Sequence, residues 1–403
     1  MSETLTAVIC GGGNAAHVMT GLASSRENVD IRVLDVFSDE AERWTKTLGA
    51  DPLVLTVNHP DGTHDEVRGK PNIITNDASL AVPGASVIIF AVPAFAHESY
   101  FQAIKPYLKA NTTIVGMPGQ PGFEFQCFSI LKDTAPECCV VAFEGLPWAA
   151  RISEFGRAVT VLSTKDFLGC VVIKGKSNVG PDPLKPVQYL LGPRPVAQIY
   201  HNFLEPTLNT KSIMHPPIMY GTWYEWDGQP LDSKPLFYQG LNAEAAELMS
   251  GMSDELIATA REISRKKPEI NLDEVGHLFD WFKLIYKDEI KDKSSLLTAL
   301  QTNSAYNGLL HPMKETPDGK FLPDFTYRYM TEDVPFGLVV LKGISEIAGV
   351  ATPVTDKVLA WSQKMIGKEY IVGDKLCGKD VATSRAPQRY GYKTLDDFDI
   401  LLQ

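Results

Sequence analysis

Residues Thr6 to Ser25 read TAVICGGGNAAHVMTGLASS. A short apolar run, three consecutive glycines and a helix-like pattern follow one another there. Gly11, Gly13 and Ala16 fit the spacing G-x-G-x-x-A. The first glycine lets the chain turn sharply off a strand, the second lets backbone approach a pyrophosphate, and the small third residue lets helix and strand pack closely. The helix that follows would aim free N–H groups and partial positive charge at the phosphates, and Asn14, within the turn, is counted with Gly11, Gly13 and Ala16 as cofactor-binding. The strand before and the helix after turn a common glycine triplet into a specific signal. The turn is shaped for a dinucleotide.

Working outward, the next strand candidate ends in VLDVF and places Asp35 about 20 residues past the turn, where an acid accepts hydrogen bonds from the adenine ribose hydroxyls. Such an acid repels the extra phosphate of NADP, so the expected cofactor is NAD(H). The stretch AVPAFAH (Ala91–His97) follows a further strand candidate, where the crevice of a doubly wound sheet opens; Pro93 is expected on the nicotinamide side. Strands are expected at Ala7–Cys10, Ile31–Leu34, Val87–Phe90, Thr113–Val115 and Val140–Phe143, with helices such as Ser38–Leu48 and His97–Leu108 between them. Val- and Ile-rich strands alternating with helices imply a mostly parallel sheet covered on both faces. Leu53–Asn58 and Glu66–Gly69 around PDGTHD read as an inserted hairpin, and Ala158–Leu162 with Leu168–Ile173 as extensions of the sheet.

Glycine, proline and charge cluster in KGKSNVGPDPLKP (Lys174–Pro186), which reads as a linker. Beyond it the patterns are helical: Val196–Leu204, Ala243–Arg265, Leu272–Tyr286, Leu296–Gln301, Gly337–Gly349 and Pro353–Ile366. The expected architecture is an α/β N-terminal Rossmann domain with a doubly wound, mostly parallel sheet (residues 1–190), joined to an all-α C-terminal domain (191–403). There is no internal repeat, and the closing TSRAPQRYGYKTLDDFDILLQ is too aromatic and patterned for a disordered tail.

The totals agree. A chain of 403 residues suggests two domains. No apolar run reaches the ~18 to 20 residues that span a bilayer. MSETLTAVIC lacks the basic and long apolar regions of a secretory leader, so the expected location is cytoplasmic. A net charge of −11 argues against broad nucleic-acid or membrane surfaces. The six cysteines form no CxxC and read as buried reduced thiols; the eight histidines show no HxxxH or HExxH, so no metal site is expected.

Hydride chemistry on a C=O or C=N group needs a proton delivered with the hydride, and histidine suits that task. A carboxylate beside it fixes its tautomer and stabilises the imidazolium. His215 lies in the apolar, proline-flanked IMHPPIMYG, and Asp333 in the turn of TYRYMTEDVPFG. From residue type alone, His215 reads as well as a satisfied core histidine, and Glu332–Asp333 as a helix N-terminal acid pair.

Several longer stretches carry a resemblance: DEAERWTK, PAFAHESYFQA, GFEFQC, LPWAARI with EFGR, PLFYQG, YRYMTEDVP, and GKEYIVGDKLCGKDVAT with PQRYG. With them the chain resembles, nearly end to end, the opine dehydrogenases of marine invertebrates, the octopine dehydrogenase group. The resemblance implies a typically monomeric enzyme that condenses pyruvate with an amino acid (arginine, alanine, glycine or β-alanine) or taurine and reduces the imine with NADH, regenerating NAD in anaerobic glycolysis. It also implies roles: His215 as acid/base and Asp333 as its partner, Arg328 on the cofactor's phosphates, Gln120 on pyruvate, and Glu144 and Trp281 near the amine.

One departure stands out. Where the family's octopine enzyme carries a Thr thought to help hold pyruvate, this chain has Gly145. Glu144 could take a guanidinium by a two-pronged hydrogen bond, which a small zwitterion would not use. The sequence leaves the amine open. It also leaves rival readings: a hydroxy-acid or glycerol-3-phosphate-type dehydrogenase on the same plan, typically relying on a lysine; a ketopantoate-reductase-like enzyme, against which Asp35 speaks; and a non-enzymatic NAD-binding protein.

Overall fold

Val, Ile and Leu fill the run Leu5–Cys10 (β1) and its parallel neighbour Val29–Leu34 (β2). The computed structural model describes residues 4–37, 39–59, 61–119, 121–131, 134–175 and 182–401. The further strands are Leu53–Asn58 (β3), His64–Gly69 (β4), Ile73–Thr75 (β5), Val87–Phe90 (β6), Thr113–Gly116 (β7), Cys139–Phe143 (β8), Trp148–Glu154 (β9), Ala158–Thr164 (β10), Phe167–Ile173 (β11), Val196–Ile199 (β12), Met313–Glu315 (β13) and Phe321–Pro323 (β14). The α-helices are Asn14–Ser24 (α1), Glu40–Leu48 (α2), Ala78–Ala81 (α3), His97–Ile104 (α4), Phe123–Leu131 (α5), Leu184–Leu191 (α6), Leu204–Leu208 (α7), His215–Trp223 (α8), Ala243–Lys266 (α9), Leu278–Ile285 (α10), Leu296–Gln301 (α11), Arg328–Thr331 (α12), Val339–Ala348 (α13) and Pro353–Met365 (α14). Two compact units result, Met1–Pro206 with Ile400–Gln403, and Thr207–Asp399. The division falls at 206/207, against 190/191 in the sequence reading.

In the first unit eight strands run in the order β12-β11-β8-β7-β6-β1-β2-β5. From β5 to β8 they are parallel; β11 pairs antiparallel with β8, and β12 closes the edge parallel to β11. The chain leaves β1 toward β2 on one side and later returns at β6 on the other. The crevice of such a sheet opens at that reversal, outside the carboxyl ends of the strands. The glycine turn follows β1 there, and Ala91–Pro93 follows β6. β6, β7 and β8 are buried at every position, as strands covered on both faces must be.

A second sheet, β4-β3-β10-β9, corrects one expectation. Ala158–Leu162 does not extend the main sheet; it pairs with β3 in parallel and with β9 antiparallel. The reason is its alternation: Val159 and Val161 are buried while Leu162 is exposed, so the strand has one apolar face. That face covers α1, which touches β1 and β2 on one side and β3, β4, β9 and β10 on the other. The fit is close, since a Cβ on Gly21 would sit 2.0 Å from Leu55 Cδ1.

Val196–Ile199 is a strand, not part of a helix; Gly192, Pro193 and Pro195 interrupt helical continuation before it. The expected linker lies outside the described residues at 176–181, and its end is already helical, α6 starting at Leu184. α10 begins at Leu278 rather than near Leu272, because His277 caps it by accepting from the Phe279 N–H at 3.1 Å. Five cysteines are buried free thiols, but Cys377 is exposed.

The second unit is helical apart from the β13–β14 hairpin. The 24-residue α9 packs against α8, α10, α11, α13 and α14. Its buried Glu255 accepts the free N–H groups of Val354 and Thr355 at the start of α14, at 2.6 and 2.9 Å. No helix among the described residues is long and apolar enough to cross a membrane.

If α1 is seated by contact with β3, Gly21→Val must overpack that seam. The expected loss is roughly 1–3 kcal/mol of stability in the first unit. Calorimetry reads it as a lower melting temperature; an unchanged transition would show that the seam has slack.

Candidate active site

Gly11 has φ +112°, and a Cβ on it would lie 2.5 Å from Val92 Cγ1, so only glycine fits the exit from β1. Gly12 is constrained as well: its Cβ would stand 2.4 Å from Asp35 Oδ2 and 2.8 Å from Glu40 Oε2. Gly13 differs, having nothing within 4 Å of that position. It is the N-cap of α1 and offers no side chain to the first-turn N–H groups. Those donors, the open space at Gly13 and the fully buried Ala16 fit a pyrophosphate on the helix N-terminus. Asn14 has a structural tie there, its Oδ1 accepting from the Ile152 N–H at 2.8 Å. His17 holds the same turn to the second sheet. Its Nε2 accepts from the Gly156 N–H at 2.9 Å, so its Nδ1–H donates to the Gly13 carbonyl at 3.1 Å. It stacks on Trp44 at 3.8 Å, and burial pushes its pKa down to about 4, so it stays neutral.

Asp35 ends β2 and is 1% exposed. Its Oδ1 accepts from the Phe37 N–H at 3.1 Å and the Tyr100 hydroxyl at 3.3 Å. Its buried Oδ2 has no partner among the described residues. Burial first, then the neighbouring Glu40 carboxyl, raise its pKa from 3.8 to about 6. An orphaned, buried acceptor at this place fits a ribose hydroxyl, and NAD(H) fits the donor set. Glu40, in the first turn of α2, adds a second carboxylate that the sequence reading did not single out. Pro93 is exposed at the start of the 3-10 turn Ala94–Ala96, at the carboxyl end of β6.

Farther along the sheet, Glu144 follows β8. Its Oε1 accepts from the Gly169 N–H at 3.2 Å and its Oε2 from the Tyr200 hydroxyl at 2.9 Å. Gln120 lies outside the described residues.

In the second unit the structure brings His215 and Asp333 together. His215 is the first residue of α8, where Pro216 and Pro217 fix the backbone for the first turn. Asp333 precedes the π-helical turn Val334–Leu338, an irregularity of the kind often found at functional sites. Gly337 in that turn approaches Ser212 so closely that a Cβ would sit 2.3 Å from the Ser212 Cβ. That contact brings the two segments alongside. The His215 Nδ1–H donates to Asp333 Oδ2 at 2.6 Å, since the carboxylate can only accept. The Tyr238 hydroxyl then donates to Nε2 at 2.9 Å. Tyr329 stacks on the imidazole at 3.8 Å and 9°. Burial first, with Tyr329 and Asp333 adding to it, raises the Tyr238 pKa, keeping the phenol protonated. Tyr238 and Tyr329 escaped residue-type reasoning; the signal for them lay in PLFYQG and YRYMTEDVP.

Arg328 opens α12 with 63% of its side chain exposed, tethered by a 3.5 Å ion pair to Glu332. Trp281 on α10 is half-buried and lies beneath the Lys211 ammonium, 4.1 Å from the ring centre. No group of three or more His, Cys, Asp or Glu side chains among the described residues is placed to hold a metal ion.

Comparison with known proteins adds the remaining evidence. A family model described as NAD/NADP octopine/nopaline dehydrogenase, alpha-helical domain, matches residues 199–366. An opine dehydrogenase of Haliotis discus hannai is 56% identical, over 98% of this chain and 98% of that protein. A tauropine dehydrogenase of Arabella iricolor is 45% identical, over 96% of this chain and 98% of that protein. A solved structure of octopine dehydrogenase with NADH and L-arginine superposes with a TM-score of 0.95 at 48% identity, covering 99% of this chain and 98% of that one. With a fitted dinucleotide turn, a hydrogen-bonded His–Asp pair and such identity along almost its whole length, the chain belongs to the opine dehydrogenases, NAD-dependent oxidoreductases.

Proposed function

We propose that the enzyme condenses pyruvate with the amine of an amino acid or taurine and reduces the imine to an opine, regenerating NAD+. The observation that carries this reading is the His215–Asp333 pair, in a chain whose first unit has a cradle that fits NADH. Condensation releases water and leaves a C=N bond. NADH, when bound, supplies the hydride taken by the imine carbon, and the nitrogen takes a proton. In this reading His215 exchanges the protons through Nε2. Asp333 holds the ring in the tautomer with its proton on Nδ1 and stabilises the imidazolium when it forms. Tyr238 occupies Nε2 in the arrangement described, so the substrate takes over that contact for His215 to act.

The cofactor assignment is Gly11, Gly13, Asn14 and Ala16 at the pyrophosphate, Asp35 at the adenine ribose, Pro93 on the nicotinamide side, and Arg328 at the phosphates. The high exposure of Arg328 supports its part, because its loose ion pair leaves the guanidinium able to turn to a ligand. Gln120 is assigned to pyruvate, and Glu144 and Trp281 to the amine. In the same reading the first unit holds the dinucleotide and the helical unit carries the catalytic pair. The enzyme acts as a cytoplasmic monomer with no nucleic-acid or membrane partner.

The direct test is NADH oxidation with pyruvate, with and without each candidate amine. Oxidation that needs an amine is expected; oxidation with pyruvate alone would make this a plain keto-acid reductase. His215→Ala is expected to lose about 10²- to 10⁴-fold in kcat while NADH still binds. Asp333→Asn is expected to lose at least about tenfold, because an amide neither fixes the tautomer with its proton on Nδ1 nor stabilises the charged ring. Turnover close to that of the unaltered enzyme in either variant would remove the pair from the mechanism.

Asp35 gives a pH test. Its folded pKa of about 6 lies above its ordinary 3.8, so ionising it in the folded state costs stability. The penalty is absent below about pH 4, grows as pH rises through 6, and is full above it. Asp35→Asn is therefore expected to raise the melting temperature of the free protein at pH 7.5, to lose that gain near pH 4, and to weaken NADH binding at pH 7.5. Scanning calorimetry with NADH titration measures both; a stabilised variant that keeps full NADH affinity would disconnect Asp35 from the ribose.

A further inference from the structure

Glu144 is where a guanidinium would be read, and the structure shows that carboxylate already engaged. Each oxygen accepts one hydrogen bond, Oε1 from the Gly169 N–H and Oε2 from the Tyr200 hydroxyl. Tyr200 is fixed against Gly169, whose Cβ position lies 2.3 Å from the tyrosine ring. Each oxygen keeps one further acceptor site, so a cation can reach Glu144 only from the side these two donors leave open.

A cation also stands beside the neighbouring residue. Lys165 lies in the tight turn between β10 and β11, and its N–H donates to the Pro147 carbonyl at 3.0 Å. This ties the turn to the Glu144–Pro147 segment. The Lys165 Nζ sits 3.2 Å from the position a Cβ on Gly145 would take. The glycine that removes a hydroxyl thus makes room for an ammonium. Lys165 has no ion-pair partner within reach among the described residues, and Glu144 is the charge acting on it. The residue is exposed as a whole, yet its surroundings desolvate the ammonium enough to lower its pKa. An anion there meets a cation that is under-solvated and uncommitted.

We infer that Lys165, lodged against Gly145, is a specificity-determining residue that selects small zwitterionic amines, such as taurine, alanine, glycine or β-alanine, over arginine. Its ammonium receives the carboxylate or sulfonate of the amine substrate and repels a guanidinium approaching Glu144. Carboxylate and ammonium side by side match a small zwitterion in both charges. The inference rests on the opine reading and on the placing of the amine near Glu144.

The test compares the purified full-length enzyme with Lys165→Met, Lys165→Arg and Gly145→Thr. NADH oxidation is measured at saturating NADH, varying pyruvate and, in turn, arginine, taurine, alanine, glycine and β-alanine. In the unaltered enzyme at least one zwitterion is expected to exceed arginine in kcat/KM by tenfold or more. Lys165→Met is expected to raise the KM for that amine at least tenfold with little change in the KM for pyruvate, and to narrow its lead over arginine. Gly145→Thr, whose side chain displaces the ammonium, should move the same ratio in the same direction. Lys165→Arg keeps the charge and should hold the amine KM within about threefold. Three outcomes overturn the inference while leaving the opine reading intact: arginine as the best amine, a Lys165→Met effect confined to the pyruvate KM, or an arginine-to-zwitterion ratio unmoved in both Lys165→Met and Gly145→Thr. Oxidation with pyruvate alone, independent of any amine, would overturn the opine reading and this inference with it.

Discussion

The first unit depends on a volume constraint at the exit from β1. Gly11 turns the chain at a φ open to glycine, with Val92 closing one side, and Gly12 passes between the Asp35 and Glu40 carboxyls. No side chain could be added at either position without moving β6 or the end of β2. The helix that follows is therefore aimed by sterics rather than by capping, and its N-terminus carries no side-chain cap. What would be a defect in an isolated helix fits a pyrophosphate here, because uncapped N–H groups are donors that such an anion can use. The second sheet belongs to the same device. It covers the outer side of α1, while His17, bonded to Gly13 at one nitrogen and to Gly156 at the other, prevents the first turn from rotating.

The second unit solves a different problem. His215, at the first position of α8, needs a carboxylate that its own helix does not supply. Asp333 supplies the opposing charge from a separate segment, and the close approach of Gly337 to Ser212 lets that segment come near enough. Ring orientation is then over-determined, with Asp333 on one nitrogen, Tyr238 on the other and Tyr329 against the face. Positioning of this kind removes the entropy of searching for a reactive geometry before a substrate arrives.

Much of this was legible in the sequence where the cause is local. Gly11, Gly13 and Asp35 follow from the geometry of one strand–turn–helix unit. The chain's long resemblance pointed to His215 and Asp333, which 118 residues separate and only folding joins. Where the cause is a long-range partner, residue type was silent. Nothing in the local sequence marks Glu40 as a neighbour of Asp35, or Tyr238 and Tyr329 as neighbours of His215. The partner of β10 lies a hundred residues upstream in β3, and nothing local says which sheet an amphipathic strand joins. Yet its alternation did say that it has one apolar face, which the strands at the centre of a parallel sheet do not. Val196–Ile199 shows the opposite fault, an apolar spacing read as helical although glycine and prolines had already interrupted it.

The two constellations carry different kinds of information. Gly11, Gly12 and the His–Asp–Tyr chain are fixed by packing on several sides, so these residues cannot change singly without loss. The surroundings of Glu144 are looser. Gly145 has space on its side-chain face, and the group filling that space is the far end of a flexible lysine anchored in a neighbouring turn. A hydroxyl there would require only that the lysine swing away. Substituting one residue thus trades a neutral donor for a full charge, with the sheet, the dyad and the cofactor cradle untouched. A place that two side chains can fill in more than one way can change while the over-determined parts of the molecule stay as they are.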